Sequence, residues 1–98
     1  MTVFFITRHP GALDWLNRQD ISIDITLRHL DFSMIKPGDV VIGLLPVHLA
    51  AAVCAAGAEY WHLSMELPYE ARGTELTAQE MKTYGARLEQ FTVLPKRP

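Results

Sequence analysis

The run Thr7-Arg8-His9-Pro10-Gly11 gathers a hydroxyl, a guanidinium, an imidazole and a helix-starting proline into consecutive positions. Arginine presents a planar fork of donors that matches phosphate, and histidine exchanges protons near neutral pH. A helix N-terminus adds unpaired N–H groups and partial positive charge. Together these groups make a site for an anion, above all a phosphate. Gly43-Leu44-Leu45-Pro46 is a second such place, because glycine permits close backbone approach and a helix starting near Pro46 offers free donors. The stretch holding Ser64, Glu66, Arg72 and Gly73 is a third candidate, a loop at the ligand edge that reads as a lid or specificity element, with Arg72 its foremost residue. Plainer readings exist for each: Arg8 and His9 as solvated groups, Gly43 as a packing relief, Arg72 as a surface cation paired with Glu70 or Glu75. His48 reads as solvated, His29 and His62 as structural, and Trp15 and Trp61 as core.

The elements that carry these residues favour the functional reading through position. Thr2 to Thr7 is a β-branched and aromatic run that reads as a buried first strand, and Pro10 opens a helix whose stripe is Ala12, Leu13, Trp15 and Leu16. Ile21, Ile23 and Ile25 alternate with polar residues and predict an edge strand over 21–26. Asp31 and Ser33 are available to cap a short turn or helix within 30–36, and Lys36-Pro37-Gly38-Asp39 is a turn by composition. The continuous apolar run over 40–45 predicts a central strand covered on both faces, followed by a small-residue helix over 47–56 with Gly57 at its end. Residues 59–64 read as a fourth strand, parallel to the third, and 65–76 as an ordered loop. Thr77 and Glu80 match a capping box for a third helix continued by Met81, Tyr84 and Leu88. A last edge strand is expected over 91–94, and 95–98 as a tail.

This alternation predicts one α/β domain over 1–94. It is a small Rossmann-like open, mostly parallel sheet of four to five strands with helices on both faces. In that architecture ligands collect outside the carboxyl ends of the strands, near the point where strand order reverses. The ends of the first, third and fourth strands carry the three candidate clusters.

Bulk properties narrow the function classes. With 98 residues, 49% hydrophobic and 20% charged, the chain has the means for one packed core. A formal net charge of -2 and a pI near 6.0 argue against gripping long nucleic acid through a broad basic face, while leaving room for a small anionic ligand. The single cysteine, Cys54, lies among alanines and reads as a core thiol. With no partner thiol and no Cys/His spacing of ligand type, neither a disulfide nor a bound metal is expected, and no cofactor is implied. The absence of a long apolar run argues against a membrane span and makes the cytoplasm the expected compartment.

Three ordered blocks carry a family resemblance: Thr7-Arg8-His9-Pro10-Gly11-Ala12, then 36–46 from Lys36 to Pro46, then Leu67-Pro68-Tyr69-Glu70-Ala71-Arg72-Gly73 with Glu75-Leu76. With Tyr84 to Glu89, nearly the whole chain resembles the small CRISPR-associated Csx-sixteen family linked to type III systems. That resemblance implies a Rossmann-like, CARF-like domain acting as a homodimeric, stand-alone ring nuclease. Its implied substrate is cyclic tetra-adenylate, the messenger that switches on ancillary effectors of type III immunity. The chemistry implied is attack of a ribose 2′-OH on the adjacent phosphorus, which needs orientation and charge stabilisation and no water nucleophile. Arg8 and His9 would be the catalytic residues, and Thr7, Gly11, Gly43, Leu45, Pro46, Ser64, Arg72 and Gly73 the substrate contacts.

Other readings remain open at this point. Thr7-Arg8-His9 after a strand, with Trp15 and Asn17 downstream, also looks like the opening of the histidine phosphatases. Pro10 between His9 and Gly11, and the short remaining chain, depart from that pattern. A module that sequesters the messenger uncut is a second alternative, and a pure interaction subunit a third.

Overall fold

The computed structural model describes residues 1–96. Its elements are β1 (Val3–Ile6), α1 (Pro10–Asn17), β2 (Ile25–Leu27), β3 (Val40–Gly43), α2 (Val47–Ala55), β4 (Glu59–Ser64), α3 (Ala78–Thr83) and β5 (Arg87–Phe91). Short 3-10 turns occupy Phe32–Met34 and Tyr69–Ala71. The strands form one sheet in the order β2-β1-β3-β4-β5. The first four are parallel, and β5 runs antiparallel to β4. This is a small Rossmann-like α/β fold of the expected kind. Among the described residues no helix is long and apolar enough to cross a membrane.

Side-chain alternation divides the core between the two faces of the sheet. Phe5, Ile42 and Leu63 point to one face, where they meet Ala12, Trp15 and Leu16 of α1 and Ala78 and Met81 of α3. Their neighbours Phe4, Val41 and Tyr60 point to the other, against Ala50 and Val53 of α2 and against Ile35. Two-sided burial explains why β3 reads as continuously apolar.

Three boundaries differ from the sequence expectation. The strand expected over 21–26 pairs with β1 only through Ile25–Leu27. Just before it, the Asp24 carboxylate accepts the Val3 N–H at 2.8 Å, so a side chain takes the place of a ladder partner and Ile21 is left exposed. The helix expected to continue through Leu88 stops at Thr83. Gly85 takes a φ of +73°, and the Ala86 and Gly85 N–H groups turn back onto the Met81 and Lys82 carbonyls at 2.9 and 3.1 Å. That reversal closes the helix in the left-handed way glycine permits. Leu88, four residues beyond Tyr84, therefore belongs to β5 and sits opposite Leu63 of β4. The last strand accordingly occupies 87–91 rather than 91–94. The capping box at Thr77 and Glu80 forms as expected, with both reciprocal bonds present. Of the tail expected over 95–98, residues 97 and 98 lie outside the described residues.

Asp39 holds the start of β3 in place. Its buried carboxylate accepts the Thr2 N–H at 2.9 Å and the Lys36 N–H at 2.9 Å, tying the N-terminus to the 36–39 turn. These backbone donors, Thr2 first, lower its pKa from the usual carboxylate value. A depressed carboxyl contributes stability that is present above the unfolded pKa and lost as pH falls through the folded one. Asp39→Asn presents an amide donor to one of those N–H groups. We expect it to lower the thermal midpoint at pH 7, with the gap to wild type closing as pH falls below the usual carboxylate range. Thermal unfolding followed by circular dichroism at several pH values checks this, and a gap that stays constant with pH contradicts it.

Candidate anion-binding site

The reversal in strand order falls between β1 and β3, and there a cavity of about 380 Å³ opens at the carboxyl edge of the sheet. Thr7, Arg8 and His9 line it from the β1–α1 corner, and Leu45 and Pro46 from the β3–α2 corner. The end of β2 adds Arg28 and His29. Two guanidinium and two imidazole groups thus share one small volume on a chain whose net charge is -2. Among the described residues no carboxylate pairs with Arg8 or Arg28, so both cations are free to meet an anion.

Local hydrogen bonds shape the first corner. The Thr7 N–H continues the pairing of β1 with β2 by donating to the Leu27 carbonyl at 2.9 Å. The Thr7 Oγ1 accepts the His9 N–H at 3.1 Å and turns the chain into α1. Pro10 occupies the first helical position, where its missing N–H costs nothing, and the Ala12 and Leu13 N–H groups both reach the His9 carbonyl. His9 Nδ1 lies 3.2 Å from Glu75 Oε1. A neutral imidazole that donates from Nδ1 to a carboxylate keeps its lone pair on Nε2, the form of a base.

The second corner is held from below by Tyr60. Its buried hydroxyl lies 3.0 Å from the Leu45 nitrogen, 3.1 Å from the Gly43 carbonyl and 2.6 Å from His62 Nδ1. An amide N–H can only donate and a carbonyl can only accept. The hydroxyl therefore donates to Gly43 and receives from Leu45, and with its one proton used, His62 must donate from Nδ1. Burial pushes the Tyr60 ionisation up, opposed in part by the Leu45 amide, which keeps the phenol neutral as this network needs. The Leu45 N–H is thereby committed. The donors left at the start of α2 are the Val47 and His48 amides, which have no acceptor within their helix. Gly43 supports the corner without lining the cavity: a Cβ there would come 3.1 Å from the Ile6 carbonyl, so its absence lets the ends of β1 and β3 close on one another.

Other expected contacts lie elsewhere. Gly11 serves packing, since a Cβ at that position would come 1.8 Å from the Leu76 carbonyl. Arg72 lines a separate open groove of about 830 Å³ with Met65, Glu66, Leu67, Pro68 and Tyr84, none of which lines the cationic cavity. Ser64 and Gly73 line neither, and Gly73 takes a φ of +78° in the turn after Tyr69–Ala71. Glu75, weighed in the sequence as a partner for Arg72, pairs with His9 instead. Arg28 is the residue that sequence reasoning passed over, and His29, read there as structural, lines the cavity beside it. The alternation of Ile21, Ile23 and Ile25 points to a strand over 21–26, whereas the strand is Ile25–Leu27, and the two residues directly after it carry the cationic side chains. Among the described residues, no cluster of three or more His, Cys, Asp or Glu side chains has the geometry to hold a metal.

Fold and site together define a small doubly wound α/β protein with a cationic, helix-flanked pocket at its switch point. The family model described as "Putative CRISPR-associated protein (Cas_VVA1548)" matches residues 4–94, and the chain belongs to that family. It is a CRISPR-associated protein. Neither a curated protein nor a solved structure matches the chain.

Tyr60→Phe removes the hydroxyl that pairs Leu45, Gly43 and His62. We expect a loss of about 1–3 kcal/mol of folding stability, the scale of leaving a buried polar group unpaired. Urea unfolding measures it, and an unchanged midpoint contradicts the role given to this network.

Proposed function

We propose that the protein is a metal-independent ring nuclease that opens cyclic tetra-adenylate and so turns off type III CRISPR signalling, as the Csx-sixteen resemblance implies. The observation that carries the reading is the joining of Arg8, His9, Arg28 and His29 with Leu45, Pro46 and Leu49 of the β3–α2 corner in one cavity. The family membership supports the setting. The net charge of -2 fits a small anionic ligand better than a long nucleic acid.

The reaction needs an aligned ribose-phosphate linkage. His9 Nε2 takes the 2′-hydroxyl proton as the oxygen attacks phosphorus in line. The bond from phosphorus to the 5′-oxygen breaks, and that oxygen takes up a proton, for which the His29 imidazole is the donor. Arg8 and Arg28 face the charge that builds on the phosphoryl oxygens. The Val47 and His48 amides hold a neighbouring phosphate. The products carry a 2′,3′-cyclic phosphate and a 5′-hydroxyl, and no water is consumed. Two cuts in the four-membered ring give two linear di-adenylates. A ring with near two-fold symmetry matches a homodimer that presents the same patch twice.

Incubating the purified protein with cyclic tetra-adenylate in excess EDTA tests the proposal. Linear di-adenylate is expected, whereas bound but intact ligand means that the protein sequesters the messenger. Inorganic phosphate released from a monoester, and lost in His9→Ala, means a histidine phosphatase. Arg8→Ala is expected to lower turnover roughly ten- to a thousand-fold, the effect of removing one charge-stabilising donor. Unchanged turnover rejects Arg8 as a catalytic residue.

A further inference from the structure

A second, smaller cavity of about 150 Å³ lies beside the cationic one. Its floor is Ala12, Leu63 and Met81 from the core between the sheet and α1/α3, and its roof is Met65, Leu67 and Leu76 from the loop after β4. His9 and Leu44 line both cavities and form the wall between them. Leu44 is 54% exposed, a large apolar side chain left in water at the seam. The His9–Glu75 contact pins the roof, because Glu75 stands between Thr74 and Leu76.

We propose that this slot takes one adenine base of the nucleotide whose phosphate sits in the cationic cavity. The inference rests on the functional reading above and adds base recognition to it. An apolar cavity of about 150 Å³ admits an aromatic ring such as benzene. Because His9 and Leu44 border both cavities, the second ring of a purine and its ribose would pass over these two side chains towards the phosphate. Thioethers make favourable contacts with aromatic rings, and Met65 and Met81 bring two to the slot. Covering Leu44 removes exposed apolar surface from water.

Thr74 supplies the choice among purines. Its hydroxyl donates to the Ala71 carbonyl at 2.7 Å, so its proton is committed and only its lone pairs face a ligand. A side chain that can only accept suits the exocyclic amine of adenine and opposes the keto oxygen that hypoxanthine carries at the same ring position.

Selective 13C labelling of the methionine methyls of the wild-type protein, with calorimetry on the same samples, tests the slot. On saturation with cyclic tetra-adenylate, the Met65 and Met81 methyls are expected to shift by the ring current of the base, while Met1 and Met34 hold still as internal controls. The cyclic tetra-inosinate analogue is expected to bind at least tenfold more weakly, and Thr74→Val to narrow that ratio. Calorimetric binding with Met65 and Met81 unmoved overturns the slot and leaves the functional reading standing. Equal affinity for the two rings overturns the assignment of adenine. No heat of binding for cyclic tetra-adenylate overturns the functional reading and this inference with it.

Discussion

The molecule turns on the close approach of β1 and β3 at their carboxyl ends. Strand order reverses there, so the chain leaves β1 to one face through α1 and leaves β3 to the other through α2. Two helices then begin on either side of a single gap. Gly43 makes that gap narrow, because any side chain at its position would press on the Ile6 carbonyl. The opposed helix starts, and the meeting of the cationic ends of β1 and β2 with the β3–α2 corner, follow from this one crossing.

Much of this order is legible in the residues. Continuous apolar runs mark β1 and β3, and the Pro10 and Thr77 starts fix α1 and α3 to the residue. What fails is instructive. Leu88 keeps helical spacing with Tyr84, yet Gly85 breaks the helix between them, so a period can outlast the element that produced it. In the second strand, alternation persists through Ile21 and Ile23 while the Asp24 carboxylate caps the ladder from the side. Drawing the strand over 21–26 rather than Ile25–Leu27 leaves the carboxyl end of the second strand out of the clusters that form the site. The Arg8, His9 and Pro46 cluster was legible because it depends only on which strand ends face one edge. Arg72 was not, because its loop follows no period, and the Glu75 weighed as its partner pairs with His9.

The site combines a rigid frame with mobile charge. Backbone donors are fixed by the Tyr60 network and by α2, where reorganisation on binding is small. Arg8 and Arg28 are long exposed side chains without carboxylate partners among the described residues, and they have freedom to close on a ligand. A local positive cluster on a chain of net charge -2 draws compact anions without creating the broad basic face that binds duplexes. This division of labour suits the small nucleotide proposed above as the ligand.

The central claim is that both corners bind one ligand at once. Titrating 15N-labelled protein with cyclic tetra-adenylate reports on it directly, through the Val47 and His48 amides of one corner and the Arg8 and Arg28 side-chain Nε–H groups of the other. A single dissociation constant describing all four sets of shifts is the predicted result. Shifts confined to one corner, or centred on the groove around Arg72, would contradict the account.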